Sequence, residues 1–267
     1  MSPLYSREIE IASQALKDAA DMYLSKDTEV VRKENEMGVF DVVSGNDILV
    51  EGYVKSKLSD AFPEDSFYCE ESGESGDTDR VWVIDPIDGT INYTRHIPIY
   101  GCQLALMIGG TPVISVLYLP EYDELFTAEK GCGAYLNGKR LDIRREIPMK
   151  DSILSIGDYS RGSRRFREDQ VTVMNVLHDR VGRIKMMGSA CCDFAFFASG
   201  RTDYHMRFVR KLWDFLPGML LAQEAGAVYD KDLYDSRRLL VMAASESNLR
   251  EIAEAISENM VWYTGEQ

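Results

Sequence analysis

The chain has 267 residues, 45% of them hydrophobic and 28% charged, the balance of a globular protein rather than a disordered or fibrous one. Its formal net charge of −14 repels polyanions, which excludes nucleic acid as a partner. A small anionic ligand could bind only where side chains or a metal supply local positive charge. No apolar run approaches the ~20 residues of a membrane span, so no membrane partner is expected. The opening stretch MSPLYSREIEIASQALKDAADMYL has neither the apolar core nor the cleavage site of a secretory signal, so a cytoplasmic protein is expected.

In chain order, Ile9, Ala12, Leu16, Ala19 and Tyr23 recur at three- and four-residue steps, which predicts an amphipathic helix over 6–24. Ser44 and Asp47 are spaced as a capping box opening a second helix, which Pro63 ends. Ser66 to Cys69 reads as a short strand before Glu70-Glu71-Ser72, and 73–79 as an acidic linker. The run VWVID then predicts a strand over 81–85, with a turn at Pro86. Cys102–Ile108 and Pro112–Leu119 flank Gly109-Gly110-Thr111, a hairpin signal, and further strands surround Lys130–Gly133 and Asn137-Gly138.

Beyond residue 145 short apolar runs at 154–156, 183–187, 203–206 and 239–243 alternate with helical patterns over 164–178, 189–199, 214–225 and 247–259. Such interleaving predicts an α/β or α+β class with layered sheets. No proline- or glycine-rich linker divides the chain. An N-terminal α+β half (1–145) and a C-terminal α/β half (146–267) are therefore expected to pack as one unit. The five cysteines, Cys69, Cys102, Cys132, Cys191 and Cys192, lack CxxC spacing and predict reduced, mostly buried thiols. His96, His178 and His205 are scattered without metal spacing.

The stretch VWVIDPIDGTINYTRHIPIYG carries the chemistry. A buried strand that runs into both Asp85 and Asp88 is costly, because like charges repel and each carboxylate loses hydration. Alone, this spacing also suits two caps of a turn. However, Asp47, Glu70-Glu71 and Asp214 likewise stand at the ends of elements, not on solvated faces. Together these acids form a set of hard oxygen ligands suited to Mg²⁺, which takes a few carboxylates and keeps several waters. Thr90 adds a hydroxyl where a helix could begin.

Glu70-Glu71 followed by Trp82-x-x-Asp85-Pro86-Ile87-Asp88-Gly89-Thr90 resembles the signature of the inositol monophosphatase family of Mg²⁺-dependent, lithium-sensitive phosphatases. The family's second signature is matched by Trp213-Asp214 and Ala225-Gly226, and the resemblance extends through Asp41-Val42-Val43-Ser44-x-x-Asp47 and Gly188-Ser189-Ala190. It covers nearly the whole chain in order and spacing. It implies an α+β fold, a layered α-β-α-β-α sandwich of the sugar phosphatase type, and a homodimer.

The resemblance further implies that Glu70, Asp85, the Ile87 carbonyl, Asp88 and Asp214 bind two Mg²⁺ ions, with a third, weaker ion near Glu70. Thr90, paired with Asp47, would position and activate the attacking water. The backbone of Gly89 and Thr90 would hold phosphate oxygens, with Asp88, Gly188, Ser189, Ala190 and Asp214 lining the substrate. Glu71 is expected to support the ligands rather than join them.

Two positions depart from the family pattern. Inositol-specific members carry a glutamate seven residues before the aspartate of the Trp-Asp pair, where this chain has Arg207, with Arg210 and Lys211 close behind. An arginine cannot accept hydrogen bonds from hydroxyls, but it can grip a second phosphate or a carboxylate. Where members often have a lysine, this chain has Glu36, with Lys33 further off. The expected function is hydrolysis of a small polyol or sugar phosphate, inositol 1-phosphate by default. The alternatives are a phosphatase of sugar or nucleotide bisphosphates, such as fructose 1,6-bisphosphate or 3′-phosphoadenosine 5′-phosphate, and a catalytically silent binding protein.

Overall fold

The computed structural model describes residues 4–25, 29–32, 42–158, 164–209 and 211–262. Lys33, Glu36, Asp41 and Arg210 lie outside the described residues. Two sheets dominate. The larger has eight strands in the order Lys139–Arg140, Gly133–Leu136, Glu124–Glu129, Thr111–Leu119, Gly101–Ile108, Arg80–Asp88, Ser66–Cys69 and Gly73–Ser75, and only Ser66–Cys69 runs parallel to its neighbour Arg80–Asp88. The smaller has five, in the order Arg183–Lys185, Ile153–Ile156, Tyr204–Phe208, Leu239–Ala243 and Val228–Tyr229.

Alternation along the strands sorts the side chains into layers. Trp82, Ile84, Leu104 and Leu106 face the helices Ser6–Ala19 and Gly45–Ala61 through Leu16, Val50, Val54 and Leu58. The opposite face meets the helices Ala190–Ala198 and Leu212–Glu224, where Leu117 and Phe126 pack with Phe194 and Leu221. Leu240 and Met242 of the small sheet close that same core from the far side. Leu239, Val241, Tyr204 and Met206 point the other way, onto the helices Arg164–Leu177 and Glu246–Asn259. The result is the expected α-β-α-β-α sandwich, with two helices held between the sheets.

Several boundaries moved for physical reasons. The first helix closes in a π-helical turn at Ala20–Leu24. The segment expected to be a linker instead contains the edge strand Gly73–Ser75. Most important, the strand predicted to stop at Asp85 continues to Asp88. Asp85 pairs with Gln103 and Asp88 with Gly101, so the Pro86-Ile87 segment holds one extra residue in a β-bulge rather than a turn. Proline fits there because a bulge interrupts the hydrogen-bond ladder that its missing N–H would break. All five cysteines are free and four are buried, as expected. Among the described residues no helix is long and apolar enough to cross a membrane.

Candidate active site

The bulge re-aims the carboxylates. Asp85, 1% exposed, accepts a 3.1 Å hydrogen bond from Gln103 on Oδ2, while its buried Oδ1 has no hydrogen-bond partner. Burial, then the charges of Glu70, Asp88 and Asp214, push its carboxyl well above the usual range. Glu70, Asp85, Asp88 and Asp214, from three segments of the chain, are therefore electrostatic neighbours. As placed, no three carboxylate, thiol or imidazole groups among the described residues enclose one point closely enough to hold an ion.

Asp88 is anchored differently. Its Oδ2 accepts the Ser189 hydroxyl at 2.5 Å and the Cys191 N–H at 2.6 Å, at the start of helix Ala190–Ala198. Burial lifts its carboxyl to about 6 against the opposing pull of Ser189, Arg207 and the Cys191 amide. Asp214 occupies the first turn of helix Leu212–Glu224. Both central helices thus present their N-terminal ends to the acids, where the helix dipole favours negative charge.

Asp47 serves two elements at once. Its Oδ2 accepts the Ser44 N–H at 2.8 Å and the Ser44 hydroxyl at 2.6 Å, completing the capping box, and its Oδ1 lies 3.2 Å from the Thr90 hydroxyl. Burial raises its carboxyl to about 6 despite the Ser44 bonds. The Thr90 hydroxyl also reaches the Ile87 carbonyl at 2.9 Å, so its single proton has two acceptors within range. Gly89 has φ +89°, a backbone that disfavours side chains, and a Cβ there would sit 3.0 Å from the Ser189 Cβ and 3.3 Å from the Gly188 carbonyl. Gly89-Thr90 and Gly188-Ser189-Ala190 therefore meet. The Ser189 hydroxyl is already committed, donating to Asp88 and accepting the Cys192 N–H at 3.2 Å.

Arg207 stands on the inner face of the small sheet, with its guanidinium carbon 5.9 Å from the centre of the Phe194 ring. It lines a cavity of about 200 Å³ together with Gly157, Asp158, Gln170 and Asp214. Lys211 is exposed and lies over the Trp213 ring at 5.3 Å, outside that lining.

Sequence reasoning missed two supports. Glu51, 3% exposed and one helical turn beyond Asp47, accepts the N–H groups of Glu71 and Ser72 at 2.8 Å each, clamping the turn that carries Glu70. Glu70 itself is tied back by its N–H to the Ile84 carbonyl at 3.1 Å. Asn92 donates to the carbonyls of Ile99 and Met187 at 2.8 and 2.7 Å, joining the Gly89 loop to the Gly188 loop. The spacing of Asp47 and Glu51, four apart on a helix, placed them on one face, but no local pattern announced the turn that Glu51 holds.

The profile of the inositol monophosphatase family matches residues 1–260. The chain is 35% identical over 217 residues to the fructose-1,6-bisphosphatase/inositol-1-monophosphatase of Aquifex aeolicus, covering 79% of this chain and 81% of that protein. It is 33% identical over 227 residues to the inositol-1-monophosphatase of Mesorhizobium japonicum, covering 83% and 85%, and 31% identical over 223 residues to the Nus factor SuhB of Escherichia coli, covering 82% and 83%. Among solved structures, the extragenic suppressor protein suhB of Bartonella henselae superposes with a TM-score of 0.86 at 27% identity, covering 96% of this chain and all of that one. The chain belongs to the inositol monophosphatase family of phosphoric monoester hydrolases.

Proposed function

We propose that the acids gathered at the bulge bind two or three Mg²⁺ ions and that the protein hydrolyses a small polyol or sugar phosphate, with inositol 1-phosphate as the default substrate. The carrying observation is Asp85: a buried carboxylate whose Oδ1 lacks any partner, amid Glu70, Asp88 and Asp214. An orphaned buried acceptor among like charges is expensive for a fold, and hard divalent cations are the partners its donor chemistry fits. Glu70, Asp85, the Ile87 carbonyl, Asp88 and Asp214 would hold the ions. When bound, the ions would neutralise developing charge on the phosphoryl group and its leaving oxygen and activate the attacking water. Thr90, within 3.2 Å of Asp47 Oδ1, would position the attacking water through its hydroxyl, and the backbone of Gly89 and Thr90 would hold phosphate oxygens. The Gly188-Ser189-Ala190 loop borders the ester, with Ser189 holding Asp88 in place. We also propose a cytoplasmic homodimer and a packed boundary near residue 145.

The test is phosphate release from inositol 1-phosphate and related monoesters, with Mg²⁺ and with chelator. Asp88→Asn should lose the Mg²⁺-dependent rate. If it keeps that rate, the ligand assignment fails, and if the wild type releases no phosphate from any ester, a binding role replaces the enzymatic one.

Glu51 supports the same centre from outside it. Glu51→Gln turns an acceptor toward two backbone N–H groups into a mixed donor and acceptor, leaving one N–H unpaired at a cost of about 1–3 kcal/mol. The freed turn should weaken Mg²⁺ binding by roughly 10- to 100-fold, as loss of a ligand-orienting contact does. Calorimetric Mg²⁺ titration reads this directly, and an unchanged affinity with a lowered melting temperature would show that the clamp serves stability alone.

A further inference from the structure

Two buried acids flank the start of helix Ala190–Ala198. Asp88, from the bulge, is held there by the Ser189 hydroxyl and the Cys191 N–H. Asp193 lies in the first turn of that helix, 1% exposed, and its N–H donates to the Ser189 carbonyl at 3.0 Å. Its Oδ1 is buried without a hydrogen-bond partner. Burial pushes both carboxyls up, and Arg207 opposes the rise in each. His205, whose ring packs on Phe194 of the same helix, supplies no charge: burial, then Arg207, push its imidazole well below the usual range. The surroundings of Arg207 steer it toward the two acids. Its stem leaves strand Tyr204–Phe208 beside Gly157, where a Cβ would come within 2.9 Å of the Arg207 Cβ. Its guanidinium carbon lies 5.9 Å from the centre of the Phe194 ring, next in sequence to Asp193. Nε and Nη1 are buried and make no hydrogen bond, so those two donors are closed to a ligand in the neighbouring cavity.

We infer that Arg207 is a positioning residue: the internal countercharge that lets Asp88 and Asp193 share the start of helix Ala190–Ala198, and so holds Asp88 in place for the Mg²⁺ centre. The inference rests on the Mg²⁺-phosphatase reading and gives Arg207 no contact with the substrate. Two carboxylates brought together in a low-dielectric interior repel, and a guanidinium, which cannot shed its proton, offsets that repulsion permanently. Direct contact is not required, because opposite charges attract over several ångströms in a buried site. Without Arg207, the repulsion is relieved by moving Asp193 toward water or by releasing Asp88. Ser189 and Cys191 belong to the same turn, so either movement loosens the two hydrogen bonds that aim Asp88.

Calorimetric Mg²⁺ titration and phosphate release from inositol 1-phosphate test this in the wild type, Arg207→Met, Arg207→Lys, and Arg207→Met combined with Asp193→Asn. Arg207→Met should bind Mg²⁺ roughly 10- to 100-fold more weakly, as loss of a ligand-orienting contact does. At saturating Mg²⁺ its kcat should fall while KM for the ester changes little. Arg207→Lys keeps the charge and should retain most of the affinity. Adding Asp193→Asn to Arg207→Met should recover at least about threefold of the lost affinity, because it removes one of the two repelling charges. If Arg207→Met alone does not fold, the double variant should fold and bind Mg²⁺. Unchanged Mg²⁺ affinity in Arg207→Met, with or without a lower melting temperature, overturns the inference, and so does a double variant no better than the single one. A raised KM at unchanged Mg²⁺ affinity also overturns it and makes Arg207 a substrate contact. A wild type that binds no Mg²⁺ and releases no phosphate instead overturns the underlying phosphatase reading.

Discussion

Asp85→Asn should make the metal-free protein more stable while abolishing its activity. The side chain is 1% exposed, its Oδ1 is unpartnered, and Glu70, Asp88 and Asp214 act on it in the same direction as burial. Removing one charge from such a cluster relieves repulsion and desolvation, and a gain of about 1–3 kcal/mol in chelator is expected from the cost of burying poorly paired polar groups. Urea denaturation with and without Mg²⁺ checks the sign. The wild type should gain stability from Mg²⁺ in proportion to ln(1 + [Mg²⁺]/Kd), and the variant should gain little. Phosphate release should fall by on the order of a thousandfold, since several kcal/mol of charge stabilisation depends on the ion being held. A variant destabilised in chelator would mean that the Gln103 hydrogen bond outweighs the repulsion.

The second large effect lies in the packing behind the site. In most exposed helices Gly→Ala stabilises by roughly 0.5–1 kcal/mol, because alanine surrenders less backbone freedom. Gly218, inside helix Leu212–Glu224, should reverse that sign. A Cβ there would fall 2.2 Å from Cγ and Cδ2 of Phe194, a ring fully buried on the neighbouring helix. The buried His205 ring lies tilted against it with centroids 4.3 Å apart, which opposes its retreat. Gly218→Ala should therefore cost about 3 kcal/mol by overpacking, seen as a lower denaturation midpoint. Activity should fall as well, because Asp214 sits one turn earlier on the displaced helix. Combining it with Phe194→Leu should cost less than the sum of the two single changes, by at least about 1 kcal/mol of coupling. An increase in stability for Gly218→Ala alone would show that the helices do not meet there.

Much of this architecture was legible in the sequence. The apolar run VWVI and the β runs on either side of Gly109-Gly110 marked the sheet, and Ser44 with Asp47 marked the start of a helix. Those signals are local: a period, a cap, a turn. The bulge was not legible, because Asp-Pro-Ile-Asp reads as a turn until Gln103 and Gly101 are known to be its partners. The same holds for the Glu51 clamp, which spans 20 residues to Glu71, and for Asn92, which reaches 95 residues to Met187. Residue types in the acid cluster could be named from motifs, whereas the groups that hold them still are defined only by contacts distant in the chain. Arg207 was visible as an anomaly. That its guanidinium carbon lies 5.9 Å from the centre of the Phe194 ring required the tertiary fold.

The central helices, held between the two sheets, bear on how such a protein can change. Ala190–Ala198 buries all of its residues but Phe196, and Leu212–Glu224 buries Phe215 to Gly218 and Leu220 to Ala222, so neither has a broad solvent face along which to shift. They carry the Cys191 N–H that anchors Asp88, and Asp214 itself, so the positions of these two acids are tied to packed helices. The cavity's opposite wall comes from the strand ends at Gly157 and Arg207 and from the outer helix Arg164–Leu177, whose far side faces water. The outer wall can therefore be remodelled by substitution while the central helices keep their packing.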